Sequence, residues 1–264
     1  MMRSLWSAAS GMIAQQTNMD IVAHNLANVD TYGNKKVRAE FQDLLYQTLR
    51  DSGGNSSTTT TYPQGKQIGL GVRVAATHRV FTQGPLQTTE KSTDVGIQGD
   101  GFFQIQLPSG DYAYTRDGSF KIDSNGNLLT TDGYTVSGGI TFPTDISHDS
   151  IVIAQDGTVS YTSDGGTTTQ AGTIQIYRFI NPEGLTSLGK NLFRETAASG
   201  TATLVDLNST GESNSLAQGT LEMSGVQVVE EMVNMIIAQR AYESNSKAIT
   251  TSDSMLEIAN GLKR

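Results

Sequence analysis

Apolar residues recur at three- and four-residue intervals from the start of the chain: Leu5, Ala8, Met12, Met19, Val22, Leu26 and Val29, with Gln15 the one polar step. That spacing places them on one face of a helix with a nearly heptad period. No proline interrupts the segment, and Gly33 offers a stop after Asp30-Thr31-Tyr32. The far end repeats the pattern through Val228, Met232, Met235, Tyr242, Ile249 and Leu256, with Gln239, Ser246 and Asp253 in the remaining steps. Ser224 is placed to cap that second helix and Gly261 to end it. Neither helix can bury its stripe alone. The two ends are expected to pack together, or against other copies of themselves.

The middle of the chain follows a different rule. Asp-Gly pairs at 100–101, 117–118, 132–133, 156–157 and 164–165, and Asn-Gly at 125–126, tolerate positive φ and favour tight hairpins. Between them lie short β-prone runs: Phe102–Leu107, Ser119–Asp123, Ile151–Ile153 and Thr173–Tyr177. With no helical period between turns, an antiparallel all-β domain is predicted. The fold class is therefore mixed α and β, with long N- and C-terminal helices packing as a coiled-coil-like α domain and a central all-β domain. The expected boundaries are 1–30 and 224–264 for the helical part, 68–196 for the β domain, and 31–67 and 197–223 for connectors. The stretch 51–67 looks flexible by its Gly, Ser and Thr content, yet its Thr58–Thr61 run is β-prone. A short hairpin wedged between neighbouring subunits is expected there.

Composition narrows the function. Ser and Thr supply 57 of 264 residues and Gly another 28, which favours turns and exposed β surface over one large helical core. A net charge of −8 without a long basic run excludes a nucleic-acid binder, because that affinity depends on neutralising phosphates. No window approaches the ~20 apolar residues that span a bilayer. Arg3 followed by Leu5-Trp6-Ser7-Ala8-Ala9 looks superficially like a signal peptide. Ser7, Ser10 and Gly11 interrupt it and no small-x-small site follows, so no cleavage is expected. The absence of cysteine removes disulfides, thiolate metal sites and cysteine nucleophiles.

Candidate chemistry is sparse. His24, His78 and His148 lack a second histidine at ligand spacing, and neither H-E-x-x-H nor G-x-S-x-G occurs. Asp123-Ser124-Asn125-Gly126-Asn127 lacks the sixth-position Gly and twelfth-position Glu of a calcium loop, and a hairpin turn explains it. Gly96 to Gly101 is glycine-rich but leads into a strand rather than a helix, so it is no phosphate cradle. Glu230-Glu231 reads as a solvated helix surface. No catalytic, cofactor or metal site is expected, and the spacing of the terminal stripes favours self-association. The rival from another class is a soluble carbohydrate-binding or hydrolytic β protein with helical ends.

Residues Ala23-His24-Asn25-Leu26-Ala27-Asn28-Val29-Asp30-Thr31-Tyr32-Gly33-Asn34-Lys35 resemble the N-terminal A-N-N-L-A-N-x-x-T-x-G-[FY]-K motif of bacterial flagellar axial proteins, the rod and hook family. Val226 to Ile236 followed by Gln239-Arg240-Ala241-Tyr242-Glu243 resembles that family's C-terminal stretch V-x-x-x-x-E-M-x-x-M-I-x-x-Q-R-A-Y-E. Gly99-Asp100-Gly101-Phe102-Phe103 and Tyr114-Thr115-Arg116-Asp117-Gly118 resemble its central pattern, and Phe41 to Arg50 resembles the connector entry of its distal rod member. Three motifs in the family's order span nearly the whole chain.

The resemblance implies a non-enzymatic structural subunit of the distal rod, with a proximal rod subunit as the alternative within the family. It implies export by the flagellum-specific type III apparatus and polymerisation into a helical tube that carries torque across the periplasm. Proximal rod subunits, hook subunits and the surrounding ring proteins are the implied partners. The expected assembly interface comprises Leu5, Met12, Met19, Asn25, Leu26 and Asn28 at the first end, and Val228, Met232, Met235, Tyr242 and Ile249 at the second.

Overall fold

The computed structural model describes residues 2–53, 63–143, 150–163, 167–207 and 214–262. The chain divides into two units, the first formed by Met1–Ala27, Val37–His78 and Gln227–Arg264, the second by Asn28–Lys36 and Arg79–Val226.

The first unit holds helix α1 (Met2–Ala27), strands β1 (Val37–Asp43), β2 (Gln47–Arg50), β3 (Lys66–Ile68) and β4 (Val72–Arg79), and helix α2 (Val228–Gly261). The first helix ends before the glycine stop that its sequence offers. Asn25 is the reason on one side: its Nδ2 donates to the Val37 carbonyl and its Oδ1 accepts from the Val37 N–H, both at 2.9 Å. A buried side-chain amide thus pairs with strand backbone and fixes where β1 begins. Past Ala27 the chain turns, with the Asn28 carbonyl accepting from the Thr31 N–H at 3.3 Å. The second helix starts at Val228 rather than after Ser224, with Gln227 at its N-cap. Ser224 is buried instead, its hydroxyl accepting from Asn34 Nδ2 at 3.4 Å. β1 pairs with β4, and β2 pairs antiparallel with β3 through Gln47 opposite Ile68 and Thr48 opposite Gln67. The tip joining β2 to β3, including Thr58–Thr61, lies outside the described residues.

The second unit is antiparallel β throughout its described pairings. Its early strands are β5 (Leu86–Thr88), β6 (Val95–Gln98), β7 (Phe102–Gln106), β8 (Tyr112–Thr115), β9 (Lys121–Ile122), β10 (Leu128–Leu129) and β11 (Thr135–Val136). After them come β12 (Ile151–Ile153), β13 (Thr158–Thr162), β14 (Thr168–Thr173), β15 (Ile176–Arg178), β16 (Thr186–Gly189) and β17 (Leu192–Arg194). β18 (Thr203–Val205), β19 (Ser215–Gln218) and β20 (Thr220–Glu222) complete the set. β7 organises the largest sheet. One edge pairs with β8, while β11 and β15 lie end to end along the other, opposite Gln106–Ile105 and Phe103–Phe102. β19 pairs with β6 and β20 with β5, so the segment leading into α2 closes the unit.

The turn dipeptides sit where their backbone chemistry places them. Gly126, Gly133 and Gly157 have φ of +80°, +84° and +84° in the turns before β10, β11 and β13. Asp123 serves the first of these turns: its carboxylate accepts from Ser124 Oγ and Asn125 Nδ2. The pair at 164–165 and His148 lie outside the described residues. The run Thr173–Tyr177, expected as one strand, breaks at Ile174, whose N–H donates to Gly157 O at 2.8 Å before the chain resumes as β15. Val95, Ile97, Phe103, Ile105, Val159, Ile176 and Leu216 form the centre of the core. Phe103 meets Phe120 edge to face with centroids 5.1 Å apart.

Two glycines separate crowding from backbone conformation. A Cβ on Gly118 would stand 1.8 Å from the Val95 carbonyl oxygen, whereas Gly133 has φ +84° and open space around it. Gly133→Ala should cost about 1–2 kcal/mol, the left-handed conformation alone. Gly118→Ala should cost more, because backbone must move inside a packed core. Denaturant melts of the two variants check the order; equal losses would contradict it.

Candidate assembly site

In the first unit α1 and α2 pack along each other. Ser4 Oγ lies 3.3 Å from Ser252 Oγ, and a Cβ on Gly11 would fall 2.8 Å from Asn245 Nδ2. Both pairs give the same antiparallel register, one heptad apart. Continuing by heptads brings Asn18 level with Ala238 and Asn25 level with Glu231. The seam residues are small or polar, and Asn25, Ala238 and Glu231 are buried. Glu231, expected on a solvated surface, is therefore inside, while Glu230 is exposed. A helix step of 100° per residue places 231, 238 and 245 on one side and the 230 position away from it.

Several large apolar side chains are exposed. On α2, Val229 (76% exposed), Met232, Val233, Ile236 and Ile237 project away from the seam, and Met255, Ile258 and Leu262 are exposed past the level at which α1 begins. Arg240 and Glu243 lie between these groups and pair at 3.0 Å. On α1, Trp6 (73% exposed) and Ile13 point outward one heptad apart. The apolar residues of this helix pair are thus divided: Val22 is buried and Leu5, Met12, Met19, Leu26, Met235 and Ile249 are half-buried, while a second group on α2, with Trp6 and Ile13 on α1, stays exposed.

The expected interface residues divide accordingly. Val228, Met232 and Tyr242 are exposed on α2, whereas Met235 and Ile249 are half-buried on the side of the seam. Leu5, Met12, Met19 and Leu26 are half-buried on α1. Asn25 is buried and committed to Val37, and Asn28 belongs to the turn after α1, where its carbonyl also accepts from Asn34 Nδ2 at 3.3 Å. Strict heptad counting passes over Val229, Val233, Ile236 and Ile237. Their signal in the sequence is the succession of apolar positions at 228–229, 232–233 and 235–237, too wide for a single stripe.

The second unit contains a buried ionic cluster that the motif reading did not assemble. Lys35 Nζ lies 2.5 Å from Glu222 Oε1 and donates also to the Thr82 carbonyl at 2.8 Å. The Gly84 N–H donates to the same Oε1 at 2.9 Å. Arg116 Nε lies 3.2 Å from Glu222 Oε2, and Arg116 Nη2 donates to the Gly99 carbonyl at 2.8 Å. Lys35 and Glu222 are each about 1–2% exposed. Burial pulls the Lys35 ammonium below the usual lysine range, with the Glu222 charge opposing that pull and Arg116 adding to it. Burial likewise lowers Arg116. Gly33 brings the first segment in: its N–H donates to Glu222 O at 2.8 Å, its φ is +66°, and a Cβ there would stand 2.7 Å from the Arg116 carbonyl carbon. His78, the remaining described histidine outside a helix, sits in the first unit with Nδ1 3.4 Å from Glu40 Oε1.

The comparisons with known proteins fall on these same segments. A family described as flagella basal body rod protein matches residues 5–35, the D1 domain of flagellar hook protein FlgE/F/G matches 96–161, and the C-terminal domain of flagellar basal body rod FlgEFG proteins matches 217–262. Each matched segment contributes one member of the cluster: Lys35, Arg116 and Glu222. The flagellar basal-body rod protein FlgG of Borreliella burgdorferi is 56% identical, covering 100% of both chains. That of Caulobacter vibrioides is 45% identical over 99% of this chain and 100% of its own. This chain belongs to the flagellar basal-body rod protein FlgG family. It is a structural subunit of the flagellar rod. The hook protein FlgE of Helicobacter mustelae is 45% identical over 52% of this chain and 31% of its own length. Nothing in these likenesses supports a carbohydrate-binding protein.

The rod subunit's ionic cluster makes a directional prediction. Glu222→Gln leaves two buried cations without their carboxylate and should cost about 3–5 kcal/mol. Lys35→Met leaves Glu222 with Arg116 and the Gly84 N–H, and should cost less. Denaturant unfolding followed by near-ultraviolet circular dichroism checks the order; a Lys35→Met loss equal to or larger than that of Glu222→Gln would contradict it.

Proposed function

We propose that this rod subunit serves in the distal part of the flagellar rod, as a non-enzymatic building block of a helical tube that spans the periplasm and carries motor torque to the hook. Its neighbours on this reading are other copies of itself, proximal rod subunits, hook subunits and the ring proteins around the shaft. It reaches them by flagellar type III export without a cleaved signal. Family membership at full length supports the rod assignment, and the apolar group that α2 leaves exposed, Val229, Met232, Val233, Ile236 and Ile237, supports polymerisation most directly. Such a face gains its burial from other copies, at roughly 1.5–3 kcal/mol for each fully covered large side chain before ordering costs.

The β2–β3 hairpin extends from the same unit as the helices and is proposed to stiffen the shaft by lodging against neighbouring subunits. Lengthwise repetition of one contact makes the polymer cooperative, since each copy presents the same surfaces. The acidic net charge of −8 discourages lateral clumping of finished tubes.

Ile236→Asp tests the reading. Ile236 is exposed in the single chain, so the variant should melt within about 0.5 kcal/mol of the parent. In a polymer contact the same carboxylate would lose water as well as the apolar contact, at several kcal/mol per copy. Sedimentation of polymerised chains should show the parent in the pellet and the variant in the supernatant. Normal pelleting of the variant would place α2's outer face in solvent within the polymer.

A further inference from the structure

Asparagine followed by glycine occurs at Asn125-Gly126 and at Asn260-Gly261. In such a pair the glycine nitrogen can attack the asparagine side-chain carbonyl, because no Cβ on the second residue hinders the approach. Both asparagines are exposed, so access to water does not separate them. The backbone around them does. Gly126 is buried with φ +80°, and its N–H, the nitrogen that would attack, donates to the Asp123 carbonyl at 2.9 Å. The Gly126 carbonyl accepts from the Phe142 N–H at 2.8 Å, and the Asn125 side-chain amide donates to Asp123 Oδ2 at 3.0 Å. Both reacting groups are held, and freeing them breaks a turn seated against the buried Phe142. Gly261, by contrast, is the last residue of α2, exposed, and a Cβ there would meet nothing within 4 Å. The Ser4–Ser252 contact sets that end of α2 beyond the start of α1, so no described turn of α1 stands beside it. Helical ψ at Asn260 keeps the Gly261 nitrogen off the side-chain carbon, and only the last turn has to unwind to release it. Helix ends are where such local opening costs least.

We propose that Asn260 is a site of spontaneous deamidation, while Asn125 in the same folded chain is kept as the amide. The Gly261 nitrogen gives up its proton to solvent base and bonds to Asn260 Cγ; the Cγ–Nδ2 bond breaks and ammonia leaves. Water then opens the cyclic succinimide. Opening at Cγ leaves aspartate, and opening at the main-chain carbonyl leaves isoaspartate, so water is consumed and ammonia released with no other reactant. Either product puts a carboxylate at the C-terminal end of α2, where the helix dipole disfavours negative charge. Isoaspartate also adds a methylene to the main chain, which interrupts the helical repeat. The change therefore loosens the last turn of α2, which carries the exposed Ile258. The hairpin turn at Asn125 stays intact because its own hydrogen bonds withhold the nucleophile.

The test ages the full-length chain in mildly alkaline buffer and follows each asparagine by peptide mass spectrometry. Methyl transfer by an isoaspartyl methyltransferase counts the isoaspartate formed. Asn260 should convert more than about tenfold faster than Asn125, because unwinding a helix end takes less free energy than opening the buried turn. In denaturant neither backbone is held, and the two rates should converge. Gly261→Ala has open space for its methyl group and hinders only the attacking nitrogen. That variant should lose the isoaspartate at residue 260 and leave the slow rate at Asn125 unchanged. Equal rates at the two sites in the folded chain would overturn the proposal. So would a difference that persists in denaturant, or isoaspartate at residue 260 undiminished by Gly261→Ala.

Discussion

The carboxylate of Glu222 ties together three stretches of chain that are remote in sequence, and the second unit is arranged around that convergence. Lys35 arrives from the segment after α1, Arg116 from the end of β8, and Glu222 from β20, just before the chain enters α2. All three charges are out of water, so each is costly alone and tolerable in company. The surrounding backbone is shaped to the cluster: Gly84 donates to the carboxylate, and Gly33 approaches Arg116 too closely for any side chain. β5 and β6 have their partners in β20 and β19, so the β core is complete once residues through 222 are in place. The cluster thus joins segments remote in sequence, and removing one partner costs more than the intact group adds in net stability.

The helix pair divides its apolar residues between two surroundings. Inside a monomeric protein, large apolar residues face inward. Here Val22 is buried and Leu5, Met12, Met19, Leu26, Met235 and Ile249 are half-buried, with Gly11 and Asn245 in close approach at the seam, while Trp6, Ile13, Val229 and Ile236 are exposed. The chain so arranged belongs to a family of flagellar rod subunits.

The periods of the sequence make both helices and the antiparallel character of the middle legible, because side-chain spacing of 3.6 and turn dipeptides with positive φ are local signals. The helix ends are not legible in the same way, because they are set by side chains acting at a distance. Asn25 holds Val37, and Ser224 accepts from Asn34 rather than capping α2. Heptad counting likewise chooses one face of α2, whereas the apolar pairs 228–229, 232–233 and 236–237 spread over more than one face. Lys35 and Arg116 stand inside recognised motifs, yet nothing local in either motif points to Glu222. Their meeting is a property of topology, and only the folded chain displays it.

Methionine oxidation in the unmodified chain reports on the central claim that assembly covers the outer faces of the helix pair. Met232 and Met255 are both 52% exposed in the single chain and sit on the two apolar ends of α2. Peroxide converts an accessible thioether to the sulfoxide, and peptide mass spectrometry reads each site separately. The account predicts rapid oxidation of both residues in monomer and strong protection of both in polymer. Equal oxidation rates before and after polymerisation would contradict it, because the faces that this structure leaves apolar would then remain in water within the shaft.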